Sequence, residues 1–251
     1  MRRLLRDFHD PGSITRRAHL LKALDGWGES RPGAVLDFGC GRGRHSFLVS
    51  SRWPVASVVG VDVDEEALDV ARRRAAARGY SRLEFLREDA VGARGPFDLV
   101  ICIDVLEHIA DDLGVLRRIA SVLKRRGSLI LHTPSLEQRR YFGVAGADAE
   151  HAGGEEFGHV RDGYRVEALL SLVRDAGFLA EEYNLTVGRA TAWLTDLDYR
   201  LARWRLHPGR VFTYLASRLA ARREVRHNPS SGRGIMVVAR RGNGREVPGT
   251  S

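Results

Sequence analysis

The stretch VLDFGCGRGRH, Val35 to His45, decides the fold: an apolar run meets glycines at alternate positions, Gly39, Gly41 and Gly43, and a helical pattern follows. A glycine-rich turn between a strand and a helix lets a ligand approach the backbone closely, and the helix N-terminus favours a negative group. A dinucleotide phosphate, a nucleotide phosphate or a carboxylate would all suit it. The loop lacks the Gly-Lys-Ser/Thr ending of a P-loop, and its third glycine falls one residue early for G-x-G-x-x-G. The surrounding residues must choose among these ligands.

Working outward, short apolar runs alternate with helical stretches. AVLDF (34–38), SVVGVD (57–62), LEFLRE (83–88), FDLVICID (97–104) and SLILHT (128–133) read as strands. GRHSFLVSS (43–51), DEEALDVARRRAAARG (64–79) and DDLGVLRRIASVLKRRG (111–127) read as helices, the last two ending at Gly79 and Gly127. Such alternation implies right-handed crossovers and a doubly wound α/β fold, a mostly parallel sheet with helices on both faces. Residues 134–163 are polar, glycine-rich and aperiodic, a length of loop that is usually functional or disordered. An amphipathic helix (164–178) and a strand (179–188) come next. Residues 190–226 form a helical insert broken at Pro208 and Gly209, and GIMVVARR (234–241) is the last strand.

The expected organisation is an N-terminal segment 1–29, a main domain 30–241 that includes the insert, and a frayed tail 242–251. Residues 1–10 lack the apolar core of a signal peptide and no apolar run reaches transmembrane length, so the expected location is the cytoplasm. Cys40 and Cys102, the only cysteines, read as small core residues and have no metal-ligand spacing. The net charge is +8, and it is uneven: +4 over residues 1–22, +5 over 193–226, +3 over 227–251 and −4 over the rest. That asymmetry suits an anionic surface, either membrane or nucleic acid, and equally an arginine-rich genome, since only Lys22 and Lys124 are lysines.

Asp62, nineteen positions beyond Gly43, closes the second strand, where an acid accepts hydrogen bonds from the two hydroxyls of a ribose. Val63 beside it can pack on a base, and Asp89 and Ala90 in REDA (87–90) can meet the amine and ring face of an adenine. Any one of these acids alone would more often cap a helix. Taken in order, VLDFGCGRG, VVGVDVD, REDA, FDLVICIDVLEHI and LKRRGSLILHTPS resemble the class I S-adenosylmethionine-dependent methyltransferases, in the branch whose strand-four motif ends in Leu-Glu-His. The resemblance covers about residues 30–188 and the last strand. It implies a seven-stranded sheet whose last strand is antiparallel and lies between the fifth and sixth. It also implies S-adenosyl-L-methionine as cofactor and S-adenosyl-L-homocysteine as product. Gly39, Cys40 and Gly41 would lie against the methionine part, with Asp37 supporting the loop or the amino group. Asp62 and Val63 would take the ribose and base, Asp89 and Ala90 the adenine, and Ile103 would line the floor near the sulfonium. Residues 1–29 would form a lid, with Arg16, Arg17 and His19 near its opening.

Methyl transfer from a sulfonium needs alignment and exclusion of water more than a covalent catalyst. A hydroxyl acceptor adds the need for a base, and histidine is best matched in pKa. The candidate catalytic residues are His108 first, then Glu107, His151 and His159, with His132 also in reach of the strand ends. Asp104, Glu107 and His108 share one face of a helical turn and could hold Mg²⁺ or Mn²⁺. The spacing is similar to the metal site of small-RNA 3′-terminal 2′-O-methyltransferases, with Asp in place of the first Glu and the further ligand left to His151 or His159. The reading without metal is preferred.

In the insert, Trp193, Leu197, Leu201 and Trp204 share a helical face among arginines, and Val211, Phe212, Leu215 and Leu219 repeat the pattern. Such a helix packs on its own domain or a second subunit, covers a lipid-like acceptor, or lies at the inner membrane face as a peripheral contact. The expected function is O-methylation of a small-molecule or lipid- or glycan-linked acceptor in a bacterial biosynthetic pathway. The alternatives are a metal-dependent RNA ribose methyltransferase and a non-catalytic cofactor-binding or membrane-associated protein. Nucleic acid is disfavoured because the chain has no aromatic-studded RNA module.

Overall fold

The computed structural model describes residues 11–27, 31–137, 141, 160–204 and 206–242. His151, His159 and the tail from residue 243 lie outside them. The described elements run α1 (Pro11–Asp25), β1 (Ala34–Phe38), α2 (Arg44–Arg52), β2 (Ser57–Asp62), α3 (Glu65–Ala77), β3 (Leu83–Arg87) and β4 (Phe97–Ile103). They continue α4 (Asp112–Val122), β5 (Leu123–Pro134), α5 (Val166–Asp175), β6 (Phe178–Thr186), α6 (Arg189–Arg203), α7 (His207–His227) and β7 (Gly234–Arg241).

The strands form one sheet in the order β3-β2-β1-β4-β5-β7-β6. β1 pairs in parallel with β2 and β4, β2 with β3, and β4 with β5. β7 is antiparallel: the residue before it, Arg233, bonds to Val187 just beyond β6, while Gly242 after it bonds to Gly177 just before β6. This is the doubly wound, class I methyltransferase arrangement expected from the sequence. The central strands are apolar on both faces, as parallel strands covered by helices must be. Val35, Leu36, Val58, Val61, Leu99, Val100, Ile101, Leu129, Ile130 and Leu131 have no exposed surface.

Contacts divide the chain into two compact units. The larger, Trp27–His132, Glu167–Glu182 and Val237–Ser251, holds the first four strands and α2 to α5. Two of its helices, α3 and α4, start where acids cap them: Asp64 accepts the Ala67 amide at 3.1 Å and Asp111 the Gly114 amide at 2.9 Å. Asp98 anchors the start of β1, accepting the Gly33 and Ala34 amides at 2.9 Å each and the Lys124 ammonium at 2.7 Å. The ring of Phe85 on β3 occupies the space that side chains at Gly43 and Gly60 would need; added Cβ atoms there would come within 2.6 and 2.7 Å of it.

The smaller unit, Met1–Gly26, Thr133–Val166 and Tyr183–Met236, packs α1 against α6 and α7. Three of its acids, Asp196, Asp198 and Glu224, form polar clamps. Asp198, 5% exposed, accepts the Thr213 hydroxyl at 2.6 Å and the Arg210 guanidinium at 3.0 Å. Glu224 accepts the Thr191 hydroxyl at 2.5 Å, and Asp196 holds Arg233 at 2.6 and 2.7 Å and the Tyr141 amide at 2.8 Å. His19, on α1, is buried in this unit.

Two local expectations are corrected. The helix expected over 111–127 ends at Val122, and β5 begins five residues before the expected 128. Leu123 aligns with Phe97 in the parallel ladder and its carbonyl accepts the Arg241 guanidinium, so tertiary pairing overrides a helix-compatible LKRRG. The break in the insert falls between the end of α6 at Arg203 and the start of α7 at His207, not at Pro208. Pro208 stands in the first turn of α7, where its missing N–H would have had no intrahelical acceptor.

Asp198→Ala leaves Arg210 and Thr213 without their shared acceptor, and is expected to destabilise the protein by about 2 to 3 kcal/mol. A shift of the urea midpoint at unchanged slope measures it.

Candidate active site

The loop after β1 is held by the end of β2. The Gly39 and Cys40 amides both donate to the Val61 carbonyl at 2.9 Å, and the Gly41 amide donates to Asp62 Oδ2 at 2.7 Å. These three N–H groups are therefore committed within the protein, whereas the loop was read from sequence as offering its amides to a ligand. Gly39 takes φ 73°, and a Cβ there would lie 2.3 Å from Val105 Cγ2. Gly41 takes φ 50° with nothing within 4 Å of an added Cβ. The first glycine is required by packing, and the second leaves the loop open on its outer side.

Asp62 also accepts the Asp64 amide on Oδ1 at 2.9 Å. Each carboxylate oxygen thus takes one backbone N–H and keeps a lone pair for one further donor, which matches two adjacent hydroxyls. Val63, next to it, is exposed, as is Asp89 just past β3, where Ala90 is half-buried. Arg87 lies 3.7 Å from Asp89. Ile103, 7% exposed, ends β4. The open Gly41 face, the remaining acceptor capacity of Asp62 and the exposed Val63 fit the nucleoside and methionine parts of S-adenosylmethionine.

Beneath the loop, Asp37 is fully buried and accepts the Ser46 hydroxyl at 2.5 Å. Burial raises its pKa to about 6, Ser46 working against the rise and nearby Asp62 adding to it. Burial also pushes the Cys40 and Cys102 thiols up, so neither is a thiolate nucleophile at neutral pH.

At the ends of β4 and β5 a pairing appears that sequence reasoning missed. His132 Nδ1 lies 2.5 Å from Asp104 Oδ1, and the Asp104 amide donates to the His132 carbonyl at 3.0 Å. Asp104 takes the left-handed φ of 55°, held there by both contacts. The register places Ile103 opposite His132, and that register was the only signal available. Next along the chain, Glu107 is buried and His108 exposed. Among the described residues no group of three or more His, Cys, Asp or Glu could hold a metal ion. Asp104, Glu107 and His108 form no such group by themselves, and the further ligand of the metal reading, His151 or His159, lies outside the described residues.

An open α/β sheet with an acid of spare acceptor capacity at the end of β2 and a glycine loop after β1 is an arrangement suited to a nucleoside ligand at the carboxyl ends of the strands. The comparisons narrow the class. A family described as a methyltransferase domain matches residues 30–163. The ubiquinone biosynthesis O-methyltransferase of Leptothrix cholodnii is 30% identical over 217 residues, covering 77% of this chain and 89% of that one. Matches to several proteins of the same name span about half of their length. Among solved structures, an O-methyltransferase from a trans-AT PKS multienzyme of Brevibacillus brevis, in complex with S-adenosyl-L-homocysteine, superposes with TM-score 0.58 at 16% identity, covering 89% of this chain and 72% of that one. The [4+2]-cyclase SpnF gives 0.59 at 21%, covering 89% and 80%. The chain belongs to the S-adenosylmethionine-dependent methyltransferases of the class I, Rossmann-like fold.

Two outcomes are expected. Gly39→Ala drives a methyl into Val105 in a left-handed backbone and lowers stability by about 2 kcal/mol or more. Gly41→Ala carries only the backbone cost but weakens S-adenosylhomocysteine binding in calorimetry. For Asp37, a folded-state pKa above the unfolded value means that the native state binds more protons between about pH 4 and 6. Stability therefore falls as pH rises through that window. Asp37→Asn flattens this slope and raises the melting temperature at neutral pH, as thermal melts across pH would record.

Proposed function

We propose that the protein transfers the methyl group of S-adenosylmethionine to a hydroxyl of a small-molecule or lipid- or glycan-linked acceptor in a bacterial biosynthetic pathway. The reading rests on the likeness, over 77% of this chain, to a protein named as an O-methyltransferase, together with the imidazoles at the ends of β4 and β5. When bound, the cofactor supplies a methyl already activated on a sulfonium.

The residues here position and deprotonate. Asp62 accepts the ribose hydroxyls, Val63 and Ala90 flank the base, Asp89 takes the adenine amine and Ile103 closes the floor. His108, exposed on the turn after β4, takes the acceptor proton at a ring nitrogen as the oxygen–carbon bond forms and the carbon–sulfur bond breaks. Asp104 fixes the orientation of His132. His151 and His159 remain further candidates for the acceptor side. The products are a methyl ether, S-adenosylhomocysteine and a proton released to solvent. A cofactor-binding protein without methyl transfer is the competing reading, because SpnF places a cyclase on a similar fold.

Asp62→Ala is expected to weaken S-adenosylhomocysteine about a hundredfold or more, the loss of two hydrogen bonds to a charged acceptor. His108→Ala is expected to leave that affinity unchanged and to lower turnover by about a hundredfold or more on a panel of phenolic and alcoholic acceptors. Unchanged turnover in His108→Ala would remove the base assignment. Tight cofactor binding without turnover on any acceptor would favour the competing reading.

A further inference from the structure

Helix α7 is built inside out. Thr213, Ser217, Ala221 and Glu224, spaced so as to share one face, are its buried residues, and the helix packs on α1 and α6. Its large apolar side chains point the other way: Val211, Phe212, Leu215 and Leu219 are between 55 and 67% exposed. A helix whose apolar stripe served its own core would show the reverse. The same outward face ends in Arg218, Arg222, Arg223 and Arg226, all exposed. Leu219, Arg222, Arg223, Arg226 and His227 line one open hollow.

Among the described residues this outward charge is uncompensated. Glu224, the acid in the last two turns, faces inward on Thr191, and Asp196 and Asp198 are held by Arg233 and Arg210. Arg222, Arg223 and Arg226 have no ion-pair partner among the described residues. Exposed Trp204 and Leu206 continue the apolar half toward α6, so indole, aliphatic and aromatic surface leads into a cationic end.

We propose that the outer face of α7, with Trp204 and Leu206, docks on an anionic phospholipid surface. The apolar half enters the boundary between headgroups and acyl chains, and the arginines sit on phosphates. The enzyme would then work as a peripheral protein at the inner membrane face. A second copy fits the face less well. Parallel pairing of two α7 helices sets arginine against arginine, and antiparallel pairing lays arginines over the apolar half. A lipid layer supplies both the apolar depth and the negative charge along one helix. None of the described helices is long and apolar enough to cross a membrane, so the contact is a surface one. The proposal does not depend on methyl transfer.

The test is flotation of the full chain with phosphatidylcholine vesicles, with and without phosphatidylglycerol, at low and high salt. Two variants are run beside it: Val211→Ser/Phe212→Ser/Leu215→Ser/Leu219→Ser, and Arg222→Gln/Arg223→Gln/Arg226→Gln. All these side chains are exposed, so the folds should hold, and thermal melts and S-adenosylhomocysteine binding verify that. The expected result is binding to the anionic vesicles alone, weakened by salt, reduced about a hundredfold by the arginine variant and abolished by the serine variant. No vesicle binding by the parent chain would overturn the proposal, as would binding that both variants leave intact. A dimer in sedimentation that the serine variant dissolves, without vesicle binding, would assign the face to a second copy and also overturn it.

Discussion

The carbonyl of Val61 and the carboxylate of Asp62 hold the loop that defines this protein. Between them they accept the amides of Gly39, Cys40 and Gly41, three consecutive N–H groups leaving β1. Buried or half-buried amides at a strand end must find acceptors, and the parallel neighbour supplies them. The loop therefore has one shape before any ligand arrives, and little reordering remains for binding. The acid that would meet the ribose is the same acid that pins the loop. Ligand recognition and loop geometry are consequently one interaction, and they cannot be varied independently.

The buried carboxyl of Asp37 shows the other side of this arrangement. A group whose ionised form is disfavoured by burial is a poor choice for stability alone, and the neighbouring Asp62 makes it worse. Groups of this kind collect where a site needs charge or a hydrogen-bond acceptor in a fixed place. Ser46 at the start of α2 partly compensates, tying that helix to the strand it follows.

Much of the sheet was legible because its strands are continuous apolar runs separated by helices of clear period. AVLDF, SVVGVD and GIMVVARR fall within a residue of the observed strands, and Asp62 was identifiable from its place at the end of the second. What escaped was set by contacts distant in sequence. Nothing in LKRRG announces that Leu123 will pair with Phe97, and nothing in VICID or LILHT announces that Asp104 and His132 will meet. The stripe of Val211, Phe212, Leu215 and Leu219 was visible as a pattern, but period alone cannot say which side of a helix faces inward. Only the burial of Thr213, Ser217 and Ala221 settles that the apolar stripe is the outer one. The inward face is held by polar contacts to α6 instead: Thr213 donates to Asp198 at 2.6 Å and Thr191 donates to Glu224 at 2.5 Å.

Phe85 carries a consequence for how this sequence can drift. Its ring fills most of the volume denied to Gly43 and Gly60, with the Cys40 sulfur closing on Gly60 and the Phe47 ring on Gly43. At Gly60, in a regular strand, a smaller residue at 85 would remove the nearest obstacle, and alanine would then need the Cys40 sulfur, 2.9 Å from an added Cβ, to give way. At Gly43, where φ is 79°, relief of the clash would still leave the left-handed backbone to satisfy. The positions form an epistatic set with an order to it: mutation at 85 must come first, it releases 60 once Cys40 also yields, and it leaves 43 bound by its own geometry. Related chains with a small residue at 85 should therefore vary at 60 before they vary at 43.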